Sequence, residues 1–475
     1  MINTIDAMER EIVSATRKAL CINLDEKFYG TIAEIGGGQE VARNFFQAGA
    51  ASGTIAKSIS AYDMAYSDAL YCKGKKERYV SQDRLKRMLS IEYNELTEVL
   101  KDKRDNKTCF FVFANTVAAL NYQKDNEARG WLGVKFQLNP NAEPNEVVIH
   151  TTLLENDNLL QQNTLGVLGV NLIHACFYHH QNPTEFLLSL MDNLSSDRLE
   201  ITMIHMSGPQ LDYVDNRLLG VQLVKSGMSK AIVFDRYGNV NEPSDMLYKK
   251  NVLAFRGSFR PITYVGFDML KTSYGLFKKD KDYDKNNTIA LCEITLNNLL
   301  EDGEFHESDF LERVDILNGM GQNVMVSNFK EYYKLVAYLS QFKIINLRIV
   351  IGMHTFLNVI DQKYYNHLKG GIIEAFGRLF IDNMKMYVYP SINEDTGELI
   401  TLKNVQVDDS IKFLFMHLVA NKKIIDIKNV KKEFIATYPH IVLNMIKNAE
   451  KGWEQMVPNY IADAIKTKKL FGYKD

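Results

Sequence analysis

From about residue 199 to residue 390, short apolar runs alternate with amphipathic stretches. This alternation limits the folds open to the chain more than any other feature. The runs lie at 200–204, 231–234, 252–255, 289–294, 324–326, 348–351 and 386–389. Several are continuously apolar rather than alternating, which is how strands read when both faces are covered. Between two of them, Phe329, Tyr332, Leu335, Val336, Leu339 and Phe342 fall on one helical stripe. Ser327 stands where a helix cap would stand. The pattern predicts an α/β fold with a central, mostly parallel, Rossmann-like sheet between helices.

The flanks read differently. Residues 1–104 read mainly as helix around a glycine-rich turn, with no proline before Pro140. Residues 105–198 read as a mixed α+β region. It holds an apolar run at 109–113, then an alternating run at 131–138, a turn at 139–144 and a second run at 147–152. The last two runs predict a β-hairpin. Helical patterns fill 157–194. After a turn at 393–397, Ile411, Leu414, Phe415 and Leu418 repeat at helical spacing, which predicts a helical tail. Four regions are therefore expected: 1–104, 105–198, the core at 199–392, and 393–475.

Composition removes whole classes of function. The 475 residues are 46% hydrophobic and 24% charged, as in globular proteins, which excludes a disordered or collagen-like chain. With 56 basic against 58 acidic residues there is no general field for nucleic acid. The longest apolar run, 165–178, is interrupted by Asn171 and His174 and falls short of the about 20 residues a membrane span needs. The first ten residues lack the basic-then-apolar order of a secretory leader. The five cysteines are far apart and form no C-x-x-C pair, which predicts reduced, buried thiols. The expected compartment is the cytoplasm, with neither nucleic acid nor membrane as partner.

Two glycine segments are candidate sites. In the first, Gly36, Gly37 and Gly38 precede the helix-like stretch from Val41. Backbone N–H groups at a helix start can cradle an anion. The segment superficially resembles the glycine loop of methyltransferases, but lacks its third glycine. Residues 55–58 also lack the acid that a ribose would need. It reads as a structural turn, or as a second anion site with Arg43 and Lys57.

The second segment, residues 256–268, directly follows the run at 252–255. It resembles the nucleotidylyltransferase signature G-x-F-x-P-x-H/T-x-G-H. Gly257, Phe259, Pro261 and Thr263 match. One extra residue precedes Gly266, and Phe267, which cannot donate a hydrogen bond, replaces the last histidine. The resemblance implies a loop at the end of a Rossmann-like first strand. Its glycine and following helix would hold nucleotide phosphates, and its histidines would stabilise charge in adenylyl transfer. The candidate phosphate or nucleotide ligands are Arg256, Gly257, Ser258, Arg260, Thr263 and Lys249.

Other signals are incomplete. Asp235 echoes the nucleophile of haloacid-dehalogenase phosphatases, but Tyr237 stands where the acid belongs, and the segment also reads as a turn. Gly370 and Gly371 open a helix after Lys369, and Glu374 and Arg378 are spaced to pair. Asp280, Asp282 and Asp284 have calcium-loop spacing, but Lys285 and Leu291 occupy positions needing glycine and glutamate. Cys176 and His180 are at i, i+4, and two ligands are not a metal site. No metal and no particular cofactor is expected. No G-x-S-x-G or P-loop pattern occurs.

Segments 34–43, 51–57, 247–250 running into 256–261, and 370–380 together resemble a family of bacterial proteins of uncharacterised function. Some members carry names such as nicotinate-nucleotide adenylyltransferase or TonB-dependent receptor. The chain lacks the β-rich pattern of an outer-membrane barrel, so the receptor name does not fit it. The expected function is binding of a nucleotide or phosphorylated small molecule by a degenerate nucleotidylyltransferase-like protein. The site is expected at the C-terminal edge of the parallel sheet. The alternative is a non-catalytic, self-assembling scaffold.

Overall fold

The apolar runs become strands, and the strands gather into two sheets. The computed structural model describes residues 10–474 apart from 101, 105, 106, 302 and 394. The stretch read for a leader (all but its last residue) and Glu394 of the expected turn lie outside the described residues. The chain forms two compact units, Met1–Lys230 and Ala231–Asp475.

The first unit contains β1 (Phe28–Gly36), β2 (Ile55–Ala61), β3 (Cys109–Ala118), β4 (Arg129–Phe136), β5 (Asn145–Leu153) and β6 (Leu199–Ser207), in the order β2-β1-β3-β4-β5-β6. β1 runs parallel to both β2 and β3, and the remaining pairs are antiparallel. The hairpin expected from the alternating runs is β4 and β5, with Trp131 opposite His150. Helix Gln82–Leu100 covers one face: a Cβ at Gly133 would meet Leu85 and Leu89. Helix Asn158–Tyr178 covers the other, where Phe177 packs on Phe28, Phe111 and Phe136.

Several expected boundaries move. Residues 1–104 include two strands, β1 and β2, besides their helices. β1 escapes the strand pattern because close packing demands small residues in it: a Cβ at Gly30 would sit 2.5 Å from the Phe111 ring. The sheet runs through the breaks expected at 104 and 198, since β3 pairs with β1 and β6 with β5. The run at 200–204, expected in the parallel core, is antiparallel β6. It is buried along nearly all its length, so it reads locally like a parallel-core strand.

The second unit contains β7 (Ala231–Phe234), β8 (Val240–Asn241), β9 (Asn251–Arg256), β10 (Thr288–Thr295), β11 (Asn323–Ser327), β12 (Asn346–Gly352) and β13 (Met384–Tyr389). A small hairpin, β14 (Ser391–Ile392) with β15 (Leu399–Ile400), precedes β16 (Ile424–Asp426). The main sheet has the order β16-β13-β12-β9-β10-β11-β7-β8. The strands from β16 to β11 are all parallel, and β7 and β8 add antiparallel at one edge. This is the expected α/β architecture. The chain steps from β9 through β10 to β11, returns to lay β12 on the other side of β9, and continues to β13 and β16. The direction of winding therefore reverses between β9 and β12.

The break expected at 392 is bridged as well, because β16 in the tail pairs with β13. Helix Tyr332–Ser340 carries the predicted stripe, but its cap position is Glu331, not Ser327. The Ser327 hydroxyl instead donates to Glu293 at 2.6 Å.

Candidate functional site

At the winding reversal the carboxyl ends of β9 and β12 part, and a cavity of about 310 Å³ opens between them. Phe255 and Arg256 end β9 on its floor, and Gly352 ends β12. Phe259, Ile262, Met269 and Tyr438 give it apolar walls. Two helices begin at the cavity. Val265 and Gly266 belong to helix Tyr264–Phe277, and His354 and Thr355 to helix Met353–Val359. His354 and Thr355 are exposed at its mouth. Ser391 also lines it, with its hydroxyl buried and unpartnered.

The start of helix Tyr264–Phe277 is fixed from the tail. The Thr263 hydroxyl donates to the Thr437 carbonyl at 2.6 Å, and the Val265 N–H donates to the Thr437 hydroxyl at 3.2 Å. Thr263 thus serves the fold rather than capping its own helix, which has no side-chain cap from it.

Of the six residues expected to bind an anion here, Arg256, Gly257, Ser258 and Thr263 line the cavity. Arg256 donates to both Glu293 carboxylate oxygens at 2.9 Å and to the Lys330 carbonyl at 3.1 Å. Its guanidinium also lies 4.4 Å from the centre of the Tyr332 ring. Burial works against its charge, but the fully buried Glu293 carboxylate outweighs this and holds its pKa above the ordinary value. The Gly257 N–H extends the ladder to the Glu293 carbonyl at 3.0 Å. The Ser258 carbonyl accepts from buried Arg313 at 3.1 Å.

The other two lie elsewhere. Arg260 donates to Asp309 at 2.5 Å, a carboxylate it shares with Arg313. Lys249 precedes the opposite end of β9, where its N–H donates to the Phe342 carbonyl at 3.0 Å. Sequence reading missed the contributions of residues 352–355 and 389–391. Each follows a buried apolar run as the 256–261 loop does, and that common position was the available signal.

The glycine turn of the first unit is filled from within. The Glu34 carboxyl accepts the Val41 and Ala42 N–H groups at 2.9 and 3.2 Å, so the chain's own acid occupies the start of helix Val41–Ala48. Burial outweighs these bonds and pushes the Glu34 pKa up to about 7. The glycines serve close packing. Gly36 has φ +76°, and a Cβ at Gly38 would lie 2.8 Å from the Asn115 amide. Arg43 pairs with Glu40 at 3.5 Å, and Lys57 pairs with Glu92 and Glu95 at 2.6 and 3.1 Å. Arg43 and Lys57 are thus each engaged by carboxylates of their own unit.

The remaining motifs resolve into structure. The Asp235 carboxylate accepts the Tyr237 and Asn239 N–H groups at 2.8 and 2.9 Å, making a turn between β7 and β8. Asp280 pairs with Arg348. Glu374 bonds both Arg378, at 2.7 Å, and the Gly370 N–H, at 2.9 Å, and so fills that helix start. Among the described residues no group of three or more His, Cys, Asp or Glu could hold a metal ion. No helix among them is long and apolar enough to cross a membrane. The cysteines are free, and Cys21, unlike the other four, is exposed.

No protein-family model matches the chain, and no curated protein matches it. Among solved structures it is similar to the competence/damage inducible protein CihA from Agrobacterium tumefaciens. That likeness has 15% identity and a TM-score of 0.24, over 37% of this chain and 94% of that one. It is also similar to a competence or damage-inducible protein from Enterobacter asburiae, with 9% identity and a TM-score of 0.24, over 34% of this chain and 95% of that one.

Proposed function

We propose that the second unit binds a nucleotide or another phosphorylated small molecule in the cavity between β9 and β12. One observation carries this reading: the cavity lies where the winding of a parallel sheet reverses. Crevices at the carboxyl ends of strands at such a point are where open α/β sheets take their ligands. The apolar walls suit a planar organic body. The 14-residue helix Tyr264–Phe277 begins at the cavity and offers its dipole to a phosphate.

The reading favours binding over adenylyl transfer. Arg256 and Arg260 are engaged by Glu293 and Asp309, and Phe267 cannot replace a histidine donor. The test is thermal unfolding of the full chain with ATP, NAD or nicotinamide mononucleotide, beside a Thr355→Trp variant that plugs the mouth. At about 100 times Kd, a ligand stabilises by about 2.7 kcal/mol, and the plugged variant loses this. The reading fails if none of the three raises Tm, or if Thr355→Trp responds as the native chain does.

A further inference from the structure

A second cavity lies toward the amino end of the same parallel strands. β10 sits between β9 and β11, yet it is only half-buried over Thr288, Ile289 and Ala290. A central strand of a doubly wound sheet is normally covered on both faces. Beside this stretch is a cavity of about 660 Å³, to which Thr288 and Ala290 contribute.

Three cations line it. Arg236 follows β7, Lys271 belongs to helix Tyr264–Phe277, and Lys285 precedes β10. Among the described residues no Asp or Glu lines the cavity. Elsewhere in this unit, Arg256, Arg260, Arg313, Arg348 and Arg378 each have a carboxylate partner. Among the described residues Arg236, Lys271 and Lys285 have no ion pair within 4.0 Å; Arg236 lies over its neighbour's ring, Tyr237, at 4.9 Å. The acids next to them in sequence are already engaged: Asp235 holds its turn, and Asp284 accepts the Asn286 N–H at 2.9 Å.

Like charges around a concave surface reinforce one another's field and raise the local concentration of anions. Tyr274 and Tyr460 add rings and hydroxyls to the same lining. We propose that this cavity is an anion site for a multiply charged phosphorylated small molecule, separate from the cleft between β9 and β12.

The experiment is titration calorimetry of the full chain with inorganic pyrophosphate. Lys271 and Lys285 are exposed, so Lys271→Glu with Lys285→Glu leaves the fold intact, which circular dichroism checks. A control pair of equal charge change, Lys412→Glu with Lys422→Glu, lies at exposed positions outside the cavity. The expected result is saturable binding that weakens about tenfold or more in the first pair, by less than about threefold in the control, and as salt is raised. Thr355→Trp leaves it unchanged. The proposal is overturned if pyrophosphate gives no saturable heat at millimolar concentration, or if both charge pairs weaken it equally. It is also overturned if Thr355→Trp abolishes it, which would move the anion to the other cleft.

Discussion

The glycine turn after β1 and the glycine loop after β9 share a local plan of strand, small residues and helix, yet they differ in what meets the helix start. In the first, Glu34 stands two residues before Gly36 and supplies the acceptor from within the chain. In the second, no acid ends the strand. The nearby carboxylates, Glu293 and Asp309, neutralise Arg256, Arg260 and Arg313, and the helix start borders a cavity. A glycine turn before a helix therefore signals a demand for an acceptor. Whether a ligand can meet that demand depends on which carboxylates lie within reach and what already holds them.

The contrast can be broken most severely at Arg256. Arg256→Ala leaves the fully buried Glu293 without its cationic partner and should cost about 3–5 kcal/mol in urea unfolding. A loss under about 1 kcal/mol would mean that Arg256 is spare and available to a ligand.

Glu34 gives the next largest effect, through pH. Its folded pKa of about 7 lies above the 4.5 of an ordinary glutamate, so between these values the folded state holds a proton that the unfolded state has lost. Stability should therefore fall as pH rises through this window, by on the order of 3 kcal/mol, and level off above it. The difference in unfolding free energy between the native chain and Glu34→Gln isolates this slope from the histidines. If the variant keeps the slope, another group is responsible.

Alanine at the two glycines should separate the turns further. At Gly38 the new Cβ meets the Asn115 amide at 2.8 Å and Val117 at 2.9 Å, and a loss of about 1–3 kcal/mol is expected. At Gly257 the nearest atoms belong to the Phe259 ring at 3.2 Å, and the change should stay within about 1 kcal/mol. Equal costs would remove the distinction between a packed turn and an open loop. The smallest effect is expected at Arg43, an exposed side chain whose pair with Glu40 should contribute less than about 0.5 kcal/mol.

The sheet of the second unit was readable because β9, β11, β12 and β13, and β10 from Leu291 onward, are buried largely on both faces and so appear as continuous apolar runs. The same cue misassigned β6, because burial on both faces does not report the direction of a partner strand. β1 was hidden by Gly30 and Gly36, small for reasons of packing against Phe111 and Val117. At the candidate site, the 256–263 loop was visible as a motif, while the opposing wall from β12 and β13 comes from residues about a hundred positions away. The partners of the arginines were invisible for the same reason: Glu293 and Asp309 become neighbours of Arg256 and Arg260 only after the strands pair.

The bonds of Thr437 to Thr263 and Val265 join positions more than 170 residues apart. They place the completion of the cleft late in the making of the protein. A nascent chain that has emerged only as far as β13 already contains both strands that frame the cavity, but not Thr437, which bonds the start of its leading helix. Synthesis proceeds from the amino end at some tens of residues every few seconds. Until then the start of that helix lacks both bonds, and Ile435, Tyr438 and Pro439 are missing from the lining of the cavity.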